Sequence, residues 1–191
     1  MTKSEKSCRH EKLMGSQTPS DRIVPDYAYT DGPDAVKVLA VGKLIVDPWQ
    51  SEVLNDWMGR TEDDVWSAPT CGLSVPRQNG KTLDTSGRIA SGMILYAEWE
   101  TFMELRGLFE SRGLRKYVKE IKAALGREQI ILKNGGRVVF VARTRNGGRG
   151  LHGDCLVFDE AQELTSEQQA SFLPAISASR NPQTIYLGTP P

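Results

Sequence analysis

Apolar residues recur three and four apart in some stretches of this chain and run together in others, and the two habits divide it into helices and strands. In VDPWQSEVLNDWMGR, Trp49, Val53, Leu54 and Trp57 share one helical face. Asp47 stands where an N-cap belongs, Pro48 suits the first turn and Gly59 ends the helix. TCGLSVP reads as a short buried strand, after which Pro76 to Gly80 carry the chain into a helix starting at about Lys81. That helix and its successor occupy RIASGMILYAEWETFMELRGLFES, with a break near Tyr96. The spacing of LRKYVKEIKAAL predicts a basic helix with Leu114, Tyr117, Val118, Ile121 and Leu125 on its apolar side. QIILKNGGRVVFVA predicts a β-hairpin whose turn residues Asn134, Gly135 and Gly136 tolerate positive φ. CLVFDE is a continuous apolar run, as in a central parallel strand covered on both faces. TSEQQASFLPAIS predicts a helix capped by Thr165 or Ser166, and QTIYLGT a last strand. Residues 1–22 are polar and aperiodic and read as a flexible arm, with structure beginning near Val24.

Composition narrows this to one α/β domain with a mostly parallel central sheet flanked by helices. The chain has 191 residues, 39% hydrophobic and 25% charged, and two cores of half that size would each be marginal. Formal net charge is zero, so no global field points to nucleic acid or membrane. The local distribution is sorted. Arg112, Arg115, Lys116, Lys119, Lys122, Arg127, Lys133, Arg137, Arg143, Arg145 and Arg149 face only Glu120 and Glu128 over that span. Asp154, Asp159, Glu160, Glu163 and Glu167 then follow with no cation between them. Such sorting suits a polyanion held beside a metal, or equally two solvated faces of opposite sign. Cys8, Cys71 and Cys155 are too few and too scattered for a disulfide framework or a metal knuckle, which implies a reducing compartment. With no signal-peptide core and no long apolar run, a cytosolic location without membrane contact is expected.

The candidate chemistry starts at SVPRQNGKT, Ser74 to Thr82. Gly80, Lys81 and Thr82 form the essential end of a phosphate-binding loop: backbone N–H groups for phosphate oxygens, a lysine for the terminal phosphates and a hydroxyl for Mg²⁺. Val75 stands where such a loop normally has its first glycine, and Pro76, Arg77, Gln78 and Asn79 fill the interior. Alone, the pattern is also met by a plain helix N-terminus that Thr82 and Asp84 help to cap. The acidic pair Asp159-Glu160 at the end of CLVFDE strengthens the first reading. Nucleotide hydrolysis needs one carboxylate for hydrated Mg²⁺ and a second to orient and deprotonate water, although two acids can merely mark where a strand leaves the core.

Arginines complete the set. Arg77, inside the loop, lies close enough in sequence to neutralise charge developing on a γ-phosphate, and Arg149, in the glycine-flanked segment NGGRGLHG, is a candidate for the same role in a neighbouring subunit or a solvated loop residue. His152 fits a surface hydrogen-bonder better than a catalyst, and Arg143 and Arg145 could meet nucleic-acid phosphates. Trp49 and Gln50 offer a ring to flank adenine and an amide to read its edge, or, for Trp49, simple core packing.

Taken together, DPWQSEVL, SVPRQNGKT, RVVFVA, NGGRG, LVFDEAQEL and YLGTPP resemble the N-terminal ATPase domain of the large terminase subunit of tailed bacteriophages, over roughly residues 25–191. The resemblance implies a P-loop NTPase-like fold of the additional-strand ATPase type and an ATP- and Mg²⁺-dependent motor that drives double-stranded DNA into a procapsid. It accounts for Val75 and Arg77 as features of a deviant phosphate loop. It assigns adenine recognition to Trp49 and Gln50, triphosphate binding to Pro76 through Thr82, and Mg²⁺ to Thr82 and Asp159. It makes Glu160 the catalytic carboxylate, Arg77 a catalytic arginine in cis and Arg149 one in trans, and Gly188-Thr189-Pro190 the coupling motif. It further implies the portal protein and the small terminase subunit as partners, a homo-oligomeric ring when active, and a place in the host cytoplasm, transiently at the portal.

Two departures qualify the resemblance. ILYAEWETFMELRGLFE is short for its counterpart, so the sheet is expected to lack or distort a strand around residues 92–105. The chain ends at Pro191, so residues 23–191 are read as an ATPase domain truncated at its C-terminal end, with no nuclease domain and no DNA cleavage expected. Two other functions stay open: a helicase-like nucleic-acid translocase lobe, because DEAQ also resembles the acidic motif of helicases, and a catalytically silent assembly module.

Overall fold

A computed structural model describes residues 16–76, 80–92, 102–123, 128–141, 148 and 150–190. Two short strands, β1 (Tyr29–Thr30) and β2 (Gly59–Arg60), pair antiparallel around helices α1 (Gly32–Val41) and α2 (Pro48–Trp57). β3 (Thr70–Ser74) leads into α3 (Lys81–Ser91), and α4 (Phe102–Glu110) precedes β4 (Val118–Lys122), β5 (Gln129–Leu132) and β6 (Arg137–Val139). β7 (Cys155–Phe158), α5 (Ser166–Phe172) and β8 (Gln183–Gly188) close the chain. The result is a mixed α/β fold whose described strands form a parallel sheet in the order β3-β8-β7 and an antiparallel sheet in the order β4-β5-β6.

Alternation along the parallel strands builds a layer on each side. On one face Cys71, Cys155, Ile185 and Leu187 pack against Trp57 and Val53 of α2. On the other, Leu156 and Phe158 meet Phe172 of α5 and Ile176 just beyond it, with Phe158 stacked on Tyr186 at 5.3 Å and edge-on to Phe172 at 6.0 Å. Each such fully buried side chain contributes about 1.5–3 kcal/mol. A larger core joins α1, α2, α3 and α4 to the antiparallel sheet through Leu39, Leu54, Ile89, Phe109, Ile130 and Val138. Gly87 permits a close approach there, because a Cβ would lie 2.8 Å from Leu39 Cδ1 and 3.2 Å from both Leu54 methyls.

Several expected elements form as the pattern predicts. α2 spans Pro48–Trp57, and its N-terminus is closed by Gln50, whose Oε1 accepts from the Asp47 N–H at 2.8 Å. α3 starts at Lys81, the hairpin turns at Gly135 with φ 95°, and Thr165 Oγ1 caps α5 by accepting from the Gln168 N–H. β8 is the last strand.

Others differ. The basic helix expected over LRKYVKEIKAAL is a 3₁₀ turn, Arg115–Tyr117, followed by strand β4. A β-bulge between Val118 and Glu120 is the reason: the extra residue turns both Val118 and Ile121 to the core, and a separation of three imitates helical spacing. Tyr117, placed on the apolar side, is exposed instead. Among the described strands β8, and not β7, takes the middle of the parallel sheet; it has the deeper burial, with Gln183, Thr184, Ile185 and Leu187 all covered. β3 is only half buried, through Cys71. No helix was expected before Pro48, yet α1 forms there, burying Gly32, Ala35 and Leu39. The break near Tyr96 and Leu125 lie outside the described residues.

Polar groups also enter this interior. Arg88 of α3 is fully buried, donates from Nε to Gln183 Oε1 at 2.7 Å and stacks over Trp66 at 4.5 Å, while Gln183 Nε2 donates to the carbonyls of Trp57 and Ala68. Asp84, four residues earlier on the helix, is fully buried with neither carboxylate oxygen hydrogen-bonded. Burial, and secondarily the charge of Asp47, push its carboxyl up to about 8. The folded state therefore holds a proton that the unfolded chain releases near pH 4, so this group's contribution to stability is complete at low pH and is lost as pH rises toward 8. Asp84→Asn is predicted to raise the melting temperature relative to the parent at pH 8, corresponding to about a few kcal/mol, with the advantage shrinking to near zero by pH 4. Melting curves across that range check it, and a difference that does not vary with pH would refute it.

Candidate functional site

The parallel register brings three strand ends to one edge. Ser74 lies level with Gly188, and Phe158 with Tyr186, so the residues just after β3, β7 and β8 emerge side by side. Such a C-terminal edge is where open α/β sheets place their ligand sites.

Lys81, the first residue of α3, reaches across this edge with an almost fully buried side chain. Its Nζ donates to Thr189 Oγ1 at 2.7 Å and to the Gly188 carbonyl at 3.3 Å, and lies 3.6 Å from Glu160 Oε1. Thr189 Oγ1 in turn lies 3.4 Å from Glu160 Oε2, to which it can donate. The two sequence motifs, 79 positions apart, thus meet through a hydroxyl contributed by the end of β8.

Glu160 owes its direction to an unusual backbone. Its φ of 49° and ψ of 52° place a non-glycine residue in the left-handed region, at a cost of about 1–3 kcal/mol that the neighbouring structure must offset. Its N–H donates to Asp159 Oδ1 at 2.9 Å, which orders the exposed Asp159 beside it. Gln162, in the 3₁₀ turn Ala161–Glu163, donates from Nε2 to Glu160 Oε2 and accepts the Thr189 N–H at 3.2 Å. Sequence reasoning gave Gln162 no role. The available signal was an amide two positions after the acid in LVFDEAQEL, close enough to fold back on it through a tight turn.

Gly80 is left-handed as well, with φ 80°, so only glycine enters α3 there without strain. Its carbonyl accepts from Gln50 Nε2 at 3.1 Å, and a Cβ on Gly80 would lie 2.9 Å from that nitrogen. Gln50 is buried with its amide shared between the start of α2 and the end of the loop. Half-buried Trp49 lines a cleft of about 1220 Å³ together with Gln50, Val53, Val75, Pro76, Gly80, Leu83 and Pro190. Residues 16–25 form its other wall, and the Arg22–Asp56 ion pair at 2.6 Å holds them against α2.

Of the residues singled out from sequence, Lys81, Glu160, Asp159, Gly188 and Thr189 gather at the strand edge, and Trp49, Gln50, Pro76, Gly80 and Pro190 border the adjoining cleft. Arg77, Gln78, Asn79, Arg143, Arg145, Arg149 and the side chain of Thr82 lie outside what the structure describes. His152 is exposed, in a separate shallow hollow with Leu151, Glu167 and Ser171. Among the described residues no group of three or more His, Cys, Asp or Glu forms a metal cage. The exposed Asp159 carboxylate at the strand end is a hard-oxygen donor of the kind Mg²⁺ accepts, an ion that keeps several waters and takes its remaining ligands from phosphate.

The sequence matches no family model and no curated protein. Among solved structures, the fold is similar to the crystal structure of the HK97 bacteriophage large terminase, with a TM-score of 0.61 and 16% sequence identity over 83% of this chain. The match covers 38% of that chain. At this identity the similarity is one of fold: a terminase-like mixed α/β architecture, in which no helix among the described residues is long and apolar enough to cross a membrane.

Proposed function

We propose that this chain is the ATP-hydrolysing motor domain of a phage large terminase, powering translocation of double-stranded DNA into a procapsid. The observation that carries the reading is the convergence of Lys81 and Glu160, 3.6 Å apart, on Thr189 at the C-terminal edge of a parallel sheet. The terminase-like fold supports it.

In this reading Lys81 and the backbone of Arg77 to Gly80 hold the terminal phosphates of ATP, and Trp49, Gln50 and Pro76 border the base and the loop. Thr82 and Asp159 would hold Mg²⁺, which when bound neutralises phosphate charge. Glu160 orients the attacking water and takes its proton. Arg77 stabilises the charge that develops on the departing phosphoryl group, and Arg149 does so in a neighbouring subunit's site, which makes the active form a homo-oligomeric ring. Lys81 Nζ donates to Thr189 Oγ1, so a bound phosphate oxygen would compete for that ammonium, and the Gly188-Thr189-Pro190 segment would report its presence to the rest of the motor. The portal protein and the small terminase subunit are the proposed docking partners.

The antiparallel sheet offers the surface for DNA. Arg112, Arg115 and Lys116 before β4, Lys119 and Lys122 on it, and Lys133 and Arg137 on the hairpin are all exposed, against Glu120, which pairs with Lys122 at 3.6 Å, and half-buried Glu128. Cations spread over strands, without an element shaped for a groove, suit phosphate contact without base readout.

Three outcomes test this reading. Lys81→Ala is predicted to abolish ATP binding, whereas Glu160→Gln keeps binding and lowers kcat by about 10²–10⁴-fold; nucleotide binding without hydrolysis, equal in the parent and the Glu160 variant, would instead indicate a silent module, and equal hydrolysis in the two would remove Glu160 from the chemistry. Activity per subunit is predicted to rise with protein concentration, and Arg149→Ala to lose about 10³-fold or more at saturation; a rate that stays flat with concentration removes Arg149 from the chemistry. Replacing Lys119 and Arg137 by Ala is predicted to weaken binding to any duplex equally and to lower the slope of log affinity against log salt by about one for each phosphate no longer neutralised.

A further inference from the structure

We infer that Gln162 is a positioning residue that locks the Glu160 carboxylate to the end of β8, so that the water-activating group and the phosphate-reporting segment move as one unit. This role rests on the motor reading and concerns a residue to which that reading gives no part.

The geometry is a closed ring of hydrogen bonds. Lys81 Nζ donates to Thr189 Oγ1 at 2.7 Å, and Thr189 Oγ1 lies 3.4 Å from Glu160 Oε2. Gln162 Nε2 donates to the same Glu160 oxygen, and its Oε1 accepts the Thr189 N–H at 3.2 Å. Both ends of one amide are therefore used, one toward a carboxylate and one toward a backbone N–H. Only a side chain that carries donor and acceptor together can make this pair of contacts. Gln162 lies alongside the end of β8, where a Cβ on Gly188 would make ordinary contact with Gln162 Oε1 at 3.6 Å.

Chain geometry explains why such a lock is needed. Glu160 sits at φ 49° on the turn that leaves β7, and its backbone belongs to a different strand from Thr189. Gln162 adds a direct link from the carboxylate to the Thr189 main chain, beside the longer Thr189 hydroxyl contact and the bridge through Lys81. With it, any displacement of the Thr189 main chain is felt at Glu160 Oε2 through a single side chain, and any shift of the carboxylate is returned to Thr189, as reciprocal coupling requires. Gln162 is exposed, so its removal opens no core cavity and the fold should tolerate substitution.

The experiment uses the full chain and two variants that separate the two hydrogen bonds. Gln162→Ala removes both. Gln162→Glu keeps an acceptor for the Thr189 N–H but sets a carboxylate against Glu160, beside which Asp159 and Lys81 also lie among the described residues. Steady-state hydrolysis is measured together with amide hydrogen exchange at Thr189, without nucleotide, with ADP and with a non-hydrolysable ATP analogue. The expected result is a kcat lowered by about ten- to a hundredfold in both variants, as expected when one hydrogen bond to a charged group is removed, with KM nearly unchanged. Thr189 protection should fall and lose its nucleotide dependence in Gln162→Ala but persist in Gln162→Glu. Parent-like kcat in Gln162→Ala overturns the inference, and so does unchanged Thr189 protection in that variant. If the parent itself hydrolyses no ATP, the motor reading fails first, while the exchange comparison without nucleotide still decides whether Gln162 holds Thr189.

Discussion

Parallel pairing of β8 between β3 and β7 is the constraint on which the other features depend. Its register sets the ends of three strands level, and only then can an ammonium that begins α3, a carboxylate that follows β7 and a hydroxyl that follows β8 share a space a few ångströms across. A one-residue slip of β8 would turn Ile185 and Leu187 from the α2 layer to the α5 layer and carry Thr189 away from Lys81. Burial of the sheet and assembly of the site are thus enforced by the same interaction.

The helices behind the sheet hold α3 in place by two contrasting means. Gly87 lets Leu39 and Leu54 press directly on the α3 backbone, and Arg88 ties the same helix to β8 through Gln183. A buried arginine is costly unless its donors are met, and here Gln183 and the face of Trp66 meet it in part. Asp84 has no such partners and stays in the interior by remaining protonated, one turn from Lys81. The first turns of α3 therefore carry a charged lysine facing the strand edge and a neutralised acid facing the core.

At the strand edge the polar groups satisfy one another. Lys81, Thr189, Glu160 and Gln162 form a network in which each charged group is matched, and the left-handed backbone of Glu160 is offset by that network. Gln50 does the corresponding work on the other side of the loop, joining the start of α2 to Gly80. Left-handed residues on both flanks, at 80 and at 160, are held by glutamines, whose amides can donate and accept at once.

Much of this was legible in the residues themselves. Local signals settled α2, the start of α3, the hairpin turn and the cap of α5, because capping, proline placement and glycine conformation act over three or four positions. The joint presence of GKT after a strand and DE at the end of another indicated a shared site, and Lys81 and Glu160 do meet. The structure alone decided what depends on distant pairing. Whether Val118 and Ile121 belonged to a helix or to a bulged strand turned on partners in β5, and which strand held the middle of the sheet turned on how completely β8 was covered. Gln162 likewise became visible only when Thr189, 27 residues later, arrived beside it. Periodicity records which face of an element is apolar, whereas register and neighbours are fixed by contacts between segments far apart in the chain, and those carry no local signature.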